Sequence, residues 1–244
     1  MGRTTTQKSL SPFILRRFEM PRIELIHGNS IELMTKMTEG CIDLVVTDPP
    51  YRIITGGDCG NRPKGMLSGN RKLFEHQTDI EICEWMPLLY KVLKPDTHAY
   101  IFTNFKNLRE MMEEAEKAGF KMHNLLVWEK NNCTPSQFYM KNCEYVLFLR
   151  KGKAKWINDI GGSKTVHKFN NIIGSKTHPC EKPVELLEYL VKTYTNEGDV
   201  VLDATMGSGS TGIACKKLNR NFIGIEKDPK YFEVAKKRIE EANG

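Results

Sequence analysis

The stretch VVTDPPY, Val45 to Tyr51, sets a carboxylate, two prolines and an aromatic ring directly after a short apolar run. Prolines cannot continue a ladder, so a strand must end here. Asp48 offers hydrogen-bond acceptors, Pro49 and Pro50 fix the backbone around them, and Tyr51 offers a flat face. Together these residues can hold a planar group by its polar edge; they can equally be a strand terminator with a surface tyrosine. A second group, DVVLDATMGSGSTG, places Gly207 and Gly209 between a strand and a helix start. A bare backbone there can approach a ligand closely. Glu226 ends the next strand, 23 residues after Asp203. Dinucleotide folds keep an acid at that place for ribose hydroxyls. Gly212 comes one position late for G-x-G-x-x-G and no Walker lysine is present, so NAD and ATP are disfavoured.

Such residues need a frame that brings strand ends together. RIELIHGN reads as a strand running into a glycine turn, and SIELMTKMTEG as a short helix capped by Ser30 and ended by Gly40. CIDLVVTD is a buried-type strand ending at Asp48. Residues 52–77 show no periodicity and read as a mobile loop. DIEICEWMPLLYKVLKP predicts a helix closed by Pro95, THAYIFT a strand, and NLREMMEEAEKAG an amphipathic helix. FKMHNLLVWEK and CEYVLFLRK are further strands. KPVELLEYLVKTYT is a helix with Pro183 in its first turn. The remainder alternates strand, glycine loop, helix, strand and helix. This order predicts an α/β class with a mainly parallel, doubly wound sheet covered on both faces.

The 244 residues fit one domain. Residues 1–19 read as a leader or flexible arm and residues 20–244 as one catalytic domain. No apolar run reaches the roughly 18 residues needed to span a bilayer. Seven scattered cysteines form no C-x-x-C pair, which predicts a reducing compartment and no zinc or other metal site. The net charge is +6, and Arg150–Lys176 alone holds seven bases and one acid, a surplus equal to the whole. That is an electrostatic footprint for phosphate, or a solvated lysine-rich loop.

Taken jointly, the motifs resemble the S-adenosylmethionine-dependent DNA amino-methyltransferases, in the beta arrangement where the catalytic motif precedes the cofactor motif. The family's D-P-P-Y is Asp48-Pro49-Pro50-Tyr51. Its H-P-T-Q-K-P is His178-Pro179-Cys180-Glu181-Lys182-Pro183, and its D-P-F-x-G-S-G-T-T runs from Asp203 to Thr211. Its V-W-x-K is Val127-Trp128-Glu129-Lys130, and its G-D is Gly28-Asn29. The match covers nearly all of the chain from Met20. Three positions depart from the family: Thr205 for phenylalanine, Ala204 for proline and Asn29 for aspartate.

The resemblance implies a Rossmann-like methyltransferase fold with permuted motif order, S-adenosyl-L-methionine as cofactor and a flipped adenine in DNA as acceptor. Asp48, Pro49, Pro50 and Tyr51 would be catalytic. Asp203, Thr205, Gly207 and Gly209 would take the methionine side, and Asp48, Ala204, Ser210 and Thr211 would also contact the cofactor. Glu226, next to Lys227, would take the ribose, and Asn29 and Ser30 the adenine. Lys182 would reach the cofactor carboxylate or only start a helix. DNA would be met by Arg52, Arg62, Lys64, Arg71 and Lys72 in the loop. A recognition insertion over 150–177 would add Lys151, Lys153, Lys155, Lys164 and Lys168. Trp156 and His167 are candidates to read or wedge bases, and Asn104 to line the pocket. Cytosine N4, an RNA or protein amide, and an inactive DNA-binding relative stay open as alternatives. The same resemblance implies a cytoplasmic prokaryotic or phage enzyme, monomer or homodimer, and admits a cognate restriction endonuclease.

Overall fold

The structure, a computed structural model, describes residues 21–49, 80–134, 139–174, 177–178 and 180–242. In chain order these form β1 (Ile23–His27), α1 (Ser30–Lys36), β2 (Ile42–Thr47), α2 (Ile82–Val92), β3 (Leu93–Thr103) and α3 (Leu108–Lys117). Then follow β4 (Lys121–Thr134), β5 (Lys141–Lys151), β6 (Val166–Lys168), α4 (Val184–Tyr194), β7 (Val200–Asp203), α5 (Ser210–Lys217), β8 (Asn221–Glu226) and α6 (Pro229–Glu241).

The eight strands make one sheet in the order β1-β8-β7-β2-β3-β5-β4-β6. From β1 to β3 every pairing is parallel. β5 runs against both β3 and β4, and β6 returns parallel to β4. The sheet is therefore mainly parallel, as the alternation predicts, with one reversed strand. Leu44, Val46, Tyr100 and Phe102 point to one face, under Leu187 and Leu190 of α4 and Ile239 of α6. Val45, Ala99 and Ile101 point to the other, under Met34 of α1, Trp85 and Leu89 of α2 and Met111 of α3. That alternation is the period of two along a strand buried on both faces. No helix among the described residues is long and apolar enough to cross a membrane.

Local chemistry moves three boundaries from those expected. The cap of α1 is Asn29, whose Oδ1 accepts from Ile31 N at 2.9 Å; Ser30 is the first helical residue and the helix stops at Lys36, before Gly40. α2 ends at Val92 rather than at Pro95, because β3 begins at once with Leu93 paired to Ile42. Pro95 falls inside that strand's irregular start, where the register with β2 shifts and Asp96 adopts φ 60°. A proline is tolerated there because the ladder is already interrupted.

The antiparallel return of β5 decides where the basic segment begins. Tyr145 pairs with Thr103 at the C-terminal end of β3, and Lys151 with Thr97 near its start. Lys151 donates from Nζ to the carbonyls of Tyr90 and Leu93, each at 2.8 Å, and lies over the Tyr90 ring. Its ammonium closes the α2–β3 junction, so its expected role in phosphate contact is corrected. Lys151→Met should lower the unfolding free energy by on the order of 2 kcal/mol, the size of charged hydrogen bonds lost. Its DNA affinity at fixed salt should match the wild type; chemical denaturation and a binding titration check both.

Candidate active site

Parallel strands place their C-terminal ends on one edge, and four of them end together here: His27 of β1, Thr47 of β2, Asp203 of β7 and Glu226 of β8. Beside them opens a cavity of about 510 Å³. Asp48 and Pro49, the glycine loop after Asp203, and Gly28 to Ser30 with Glu226 line it. His178, Cys180 and Lys182 close it from the segment before α4. The two motifs that are 155 residues apart in sequence, at Asp48 and Asp203, thus share one cavity.

Threonines join them. Asp203 is only 5% exposed. Its carboxylate accepts from Thr211 Oγ1 at 2.6 Å, Thr47 Oγ1 at 3.0 Å and Thr205 N at 3.2 Å. Burial pushes its carboxyl up to about 6, against the pull of those three donors. Thr205 Oγ1 also donates to the backbone carbonyl of Asp48 at 2.9 Å and lies 3.0 Å from Thr47 Oγ1. The hydroxyl that stands in place of the family's phenylalanine is therefore a tie between the glycine loop and the Asp48 loop.

Glu226 is shaped by the backbone. Its Oε2 accepts from Gly207 N at 2.9 Å and its Oε1 from Asp228 N at 2.8 Å. Gly207 has φ 52°, a conformation that favours glycine. Gly209 has φ 80°, and a Cβ there would lie 2.9 Å from Ile239 and 3.1 Å from the Ala235 backbone. Gly209 thus serves the close approach of α6, not of a ligand. Asn29 borders the cavity, with its carbonyl oxygen already used as the cap of α1. Arg238, on α6, donates to Ser208 O at 2.6 Å and to Glu181 Oε1 at 2.5 Å. Glu181 also accepts from Thr177 N at 2.7 Å. One ion pair, between the half-buried Arg238 and the buried Glu181, so fastens the glycine loop to the His178–Lys182 segment.

The strongest electrostatic feature is a row of alternating charges. Lys182 Nζ donates to Asp48 Oδ2 and lies 3.4 Å from Glu144 Oε2; Glu144 Oε1 accepts from Lys130 Nζ. Burial opposes the charge on Lys182, but Asp48 and Glu144 outweigh it and hold the ammonium firmly protonated. Burial likewise acts to raise the Glu144 carboxyl, and Lys182 and Lys130 overcome it, bringing it down to about 2. The expectation for Lys182 was a cofactor carboxylate or a helix start. The structure gives its ammonium to two protein carboxylates, with Pro183 the cap of α4.

Glu144, Arg238 and Thr47 are absent from the sequence-derived site. Glu144 had a signal, as the lone acid in the strand CEYVLFLRK. Arg238 and Thr47 had none, because their partners are remote in sequence. Other expectations separate. Pro50, Tyr51, Arg52, Arg62, Lys64, Arg71 and Lys72 lie outside the described residues. Lys153 follows Lys151 at the start of β3, where its backbone N donates to Asp96 Oδ1 at 2.6 Å. The Lys151–Thr97 pair lies four residues down β3 from Ile101, the partner of Thr47, or about 13 Å along the strand. Lys155 follows on the same side, and Trp156 is 81% exposed. Asn158 donates to the carbonyls that end α4, at Lys192 and Thr195. Lys168 instead stands on edge strand β6 opposite Glu129, level with Cys143 and past the last β3 pairing. Lys164 precedes that strand. His167 packs on Tyr189 at 4.7 Å, which is a packing role. Asn104 is likewise structural: its Oδ1 accepts from Lys106 N, Asn107 N and Asn107 Nδ2, and it does not border the cavity.

The family model described as DNA methylase, covering N6 and N4 amino-methyltransferases, matches residues 42–171 and 155–237. The type II methyltransferase M2.DpnII of Streptococcus pneumoniae is 29% identical over 244 residues, spanning 90% of each chain. M.HpaI of Haemophilus parainfluenzae is 30% identical over 90% of this chain and 75% of its own. Among solved structures, the M1.HpyAVI–SAM complex superposes with a TM-score of 0.69 at 29% identity, over 88% of this chain and 99% of that one. The cytosine-N4-specific PvuII DNA methyltransferase shares the fold, with a TM-score of 0.73 at 19% identity over 92% and 89%.

The buried Asp203 makes a pH prediction. Its folded-state pKa, about 6, lies above the unfolded value of 3.8. Its contribution to stability is therefore complete below 3.8 and is lost as pH rises through 6. Relative to Asp203→Asn, the wild type should lose on the order of 3 kcal/mol of unfolding free energy between about pH 4 and pH 7. Denaturant titrations of both proteins across that range check it.

Proposed function

The chain belongs to the N6/N4 DNA methylase family, and from that premise we propose that it methylates the exocyclic N6 of an adenine at a defined DNA sequence. S-Adenosyl-L-methionine supplies a methyl group on a positively charged sulfur. The observation that carries the reading is the single cavity onto which Asp48 and the glycine loop both open. Its volume, about 510 Å³, suits a nucleoside-sized ligand. Ser210 Oγ, at the start of α5, is buried without a hydrogen-bond partner among the described residues and borders that cavity. A carboxylate at this helix start would satisfy it. Glu226 would hold ribose hydroxyls, and Asn29 and Ser30 would border the adenine of the cofactor. Ala204, Thr205, Gly207 and Lys227 would line its length. Asp203 and Thr211 would act from behind, by holding the loop.

An exocyclic amine is a poor nucleophile because its lone pair is delocalised into the ring. Acceptors aimed at its hydrogens help it pyramidalise. The Asp48 carboxylate, which accepts from Lys182, and the Pro49 carbonyl are those acceptors. Holding amine and methyl in line can supply about 7–11 kcal/mol of the barrier. A base inside a duplex must first be flipped out, and stacking on Tyr51 would offset roughly 1–3 kcal/mol of that cost. Phosphates would be met on the catalytic edge, by Lys164 and Lys168, and not by Lys153 or Lys155. The type II relatives support a site-specific enzyme, with a restriction endonuclease of the same specificity as its partner.

Mass spectrometry of nucleosides from DNA treated with protein and S-adenosylmethionine should show N6-methyladenine. Asp48→Ala should cut its formation by roughly 10²–10³-fold, the loss typical of a removed positioned group, while still binding cofactor. N4-methylcytosine would change the base and keep the mechanism; no methylated base would overturn the reading. Lys168→Glu should weaken DNA binding and reduce the slope of log K against log salt by about one to two. Lys153→Glu should leave that slope unchanged.

A further inference from the structure

Asp48 has two suitors. In this structure one of its oxygens, Oδ2, accepts from the buried Lys182 ammonium. The target amine needs the same carboxylate. An ammonium that stays on Asp48 competes with that amine, and one that leaves must find another anion, because an unpaired buried charge is costly. Glu144 is placed to receive it. Its Oε1 is held by Lys130, while Oε2 is buried and accepts no hydrogen bond from any described residue. That oxygen lies 3.4 Å from Lys182 Nζ, within ion-pair reach but without hydrogen-bond alignment. A shift of less than an ångström turns the contact into a bond. The Phe102 ring, 5.0 Å from Nζ, borders the space the ammonium would cross and offers it a cation–π face.

We propose that Glu144 is a positioning residue that takes Lys182 from Asp48 when a nitrogen donor arrives in the cavity, and that Lys130 holds Glu144 ready for it. Lys182 then keeps a carboxylate partner throughout, Asp48 turns to the arriving donor, and only the Lys182 ammonium moves. No covalent bond is made or broken in the protein. This inference rests on the cofactor assignment and not on which base is methylated.

The test uses two cofactor analogues on the full chain. Sinefungin carries an amine where S-adenosylmethionine carries its methyl sulfonium; S-adenosylhomocysteine carries nothing there. Glu144→Gln should weaken sinefungin by about tenfold, a loss of 1.4 kcal/mol, with S-adenosylhomocysteine changed by less than about twofold. Lys130→Met removes the contact that holds Glu144 ready, so it should move the ratio of the two affinities the same way as Glu144→Gln, by a smaller factor. Turnover by Glu144→Gln should fall by about tenfold or more, and the double variant Glu144→Gln/Lys182→Met should recover several-fold over it, since the stranded ammonium is gone. Equal shifts for both analogues, or a double variant no faster than Glu144→Gln, would overturn the proposal. If the wild type methylates no DNA at all, the functional reading fails, and the analogue ratio still decides this one.

Discussion

A fully buried ammonium must have anions around it, and the site is arranged to satisfy Lys182. Removing one partner of such a pair costs about 3–5 kcal/mol, so its neighbours are tightly constrained. Asp48 at the end of β2 and Glu144 on β5 supply the carboxylates, and the His178–Lys182 segment brings the cation to them. Three parts of the chain that share no local contact are tied in one place.

A second constraint lies beneath it. Asp203 is buried at a pH cost, and three donors hold its carboxylate. Those donors come from β2, the glycine loop and α5, so the charge acts as the knot between the catalytic and cofactor loops. Thr205 then passes the connection on to the Asp48 carbonyl. Arg238 does the same from outside, by joining the glycine loop to Glu181. The cavity's walls are thus positioned by buried polar contacts, which are directional, while the apolar layers on the two sheet faces set only the overall stacking.

The basic segment shows how charge in sequence and charge in space diverge. Arg150–Lys176 holds seven bases and one acid as a string of letters. The reversed strand β5 delivers its first part to the far end of the sheet, and the return through β6 carries its later part back to the catalytic edge. Lys151 is spent on helix-end carbonyls and Lys168 stays outside, 3.3 Å from Glu129.

Alternation of strands and helices, the strand end at Asp48, the glycine turn after Asp203 and the acid at Glu226 were all legible in the sequence. Each is a local property: periodicity, a proline, a residue without Cβ. Pro183 at a helix start was legible for the same reason. The helix boundary at Val92 was not, because pairing of Leu93 with Ile42 decided it. Nor was the partner of Lys182, the role of Glu144, the grip of Arg238 on the glycine loop or the tie made by Thr205. Those contacts join residues from 30 to more than 150 positions apart. No local pattern encodes them, since they exist only once a parallel sheet has brought its strand ends to a common edge and burial has made each polar group find a partner.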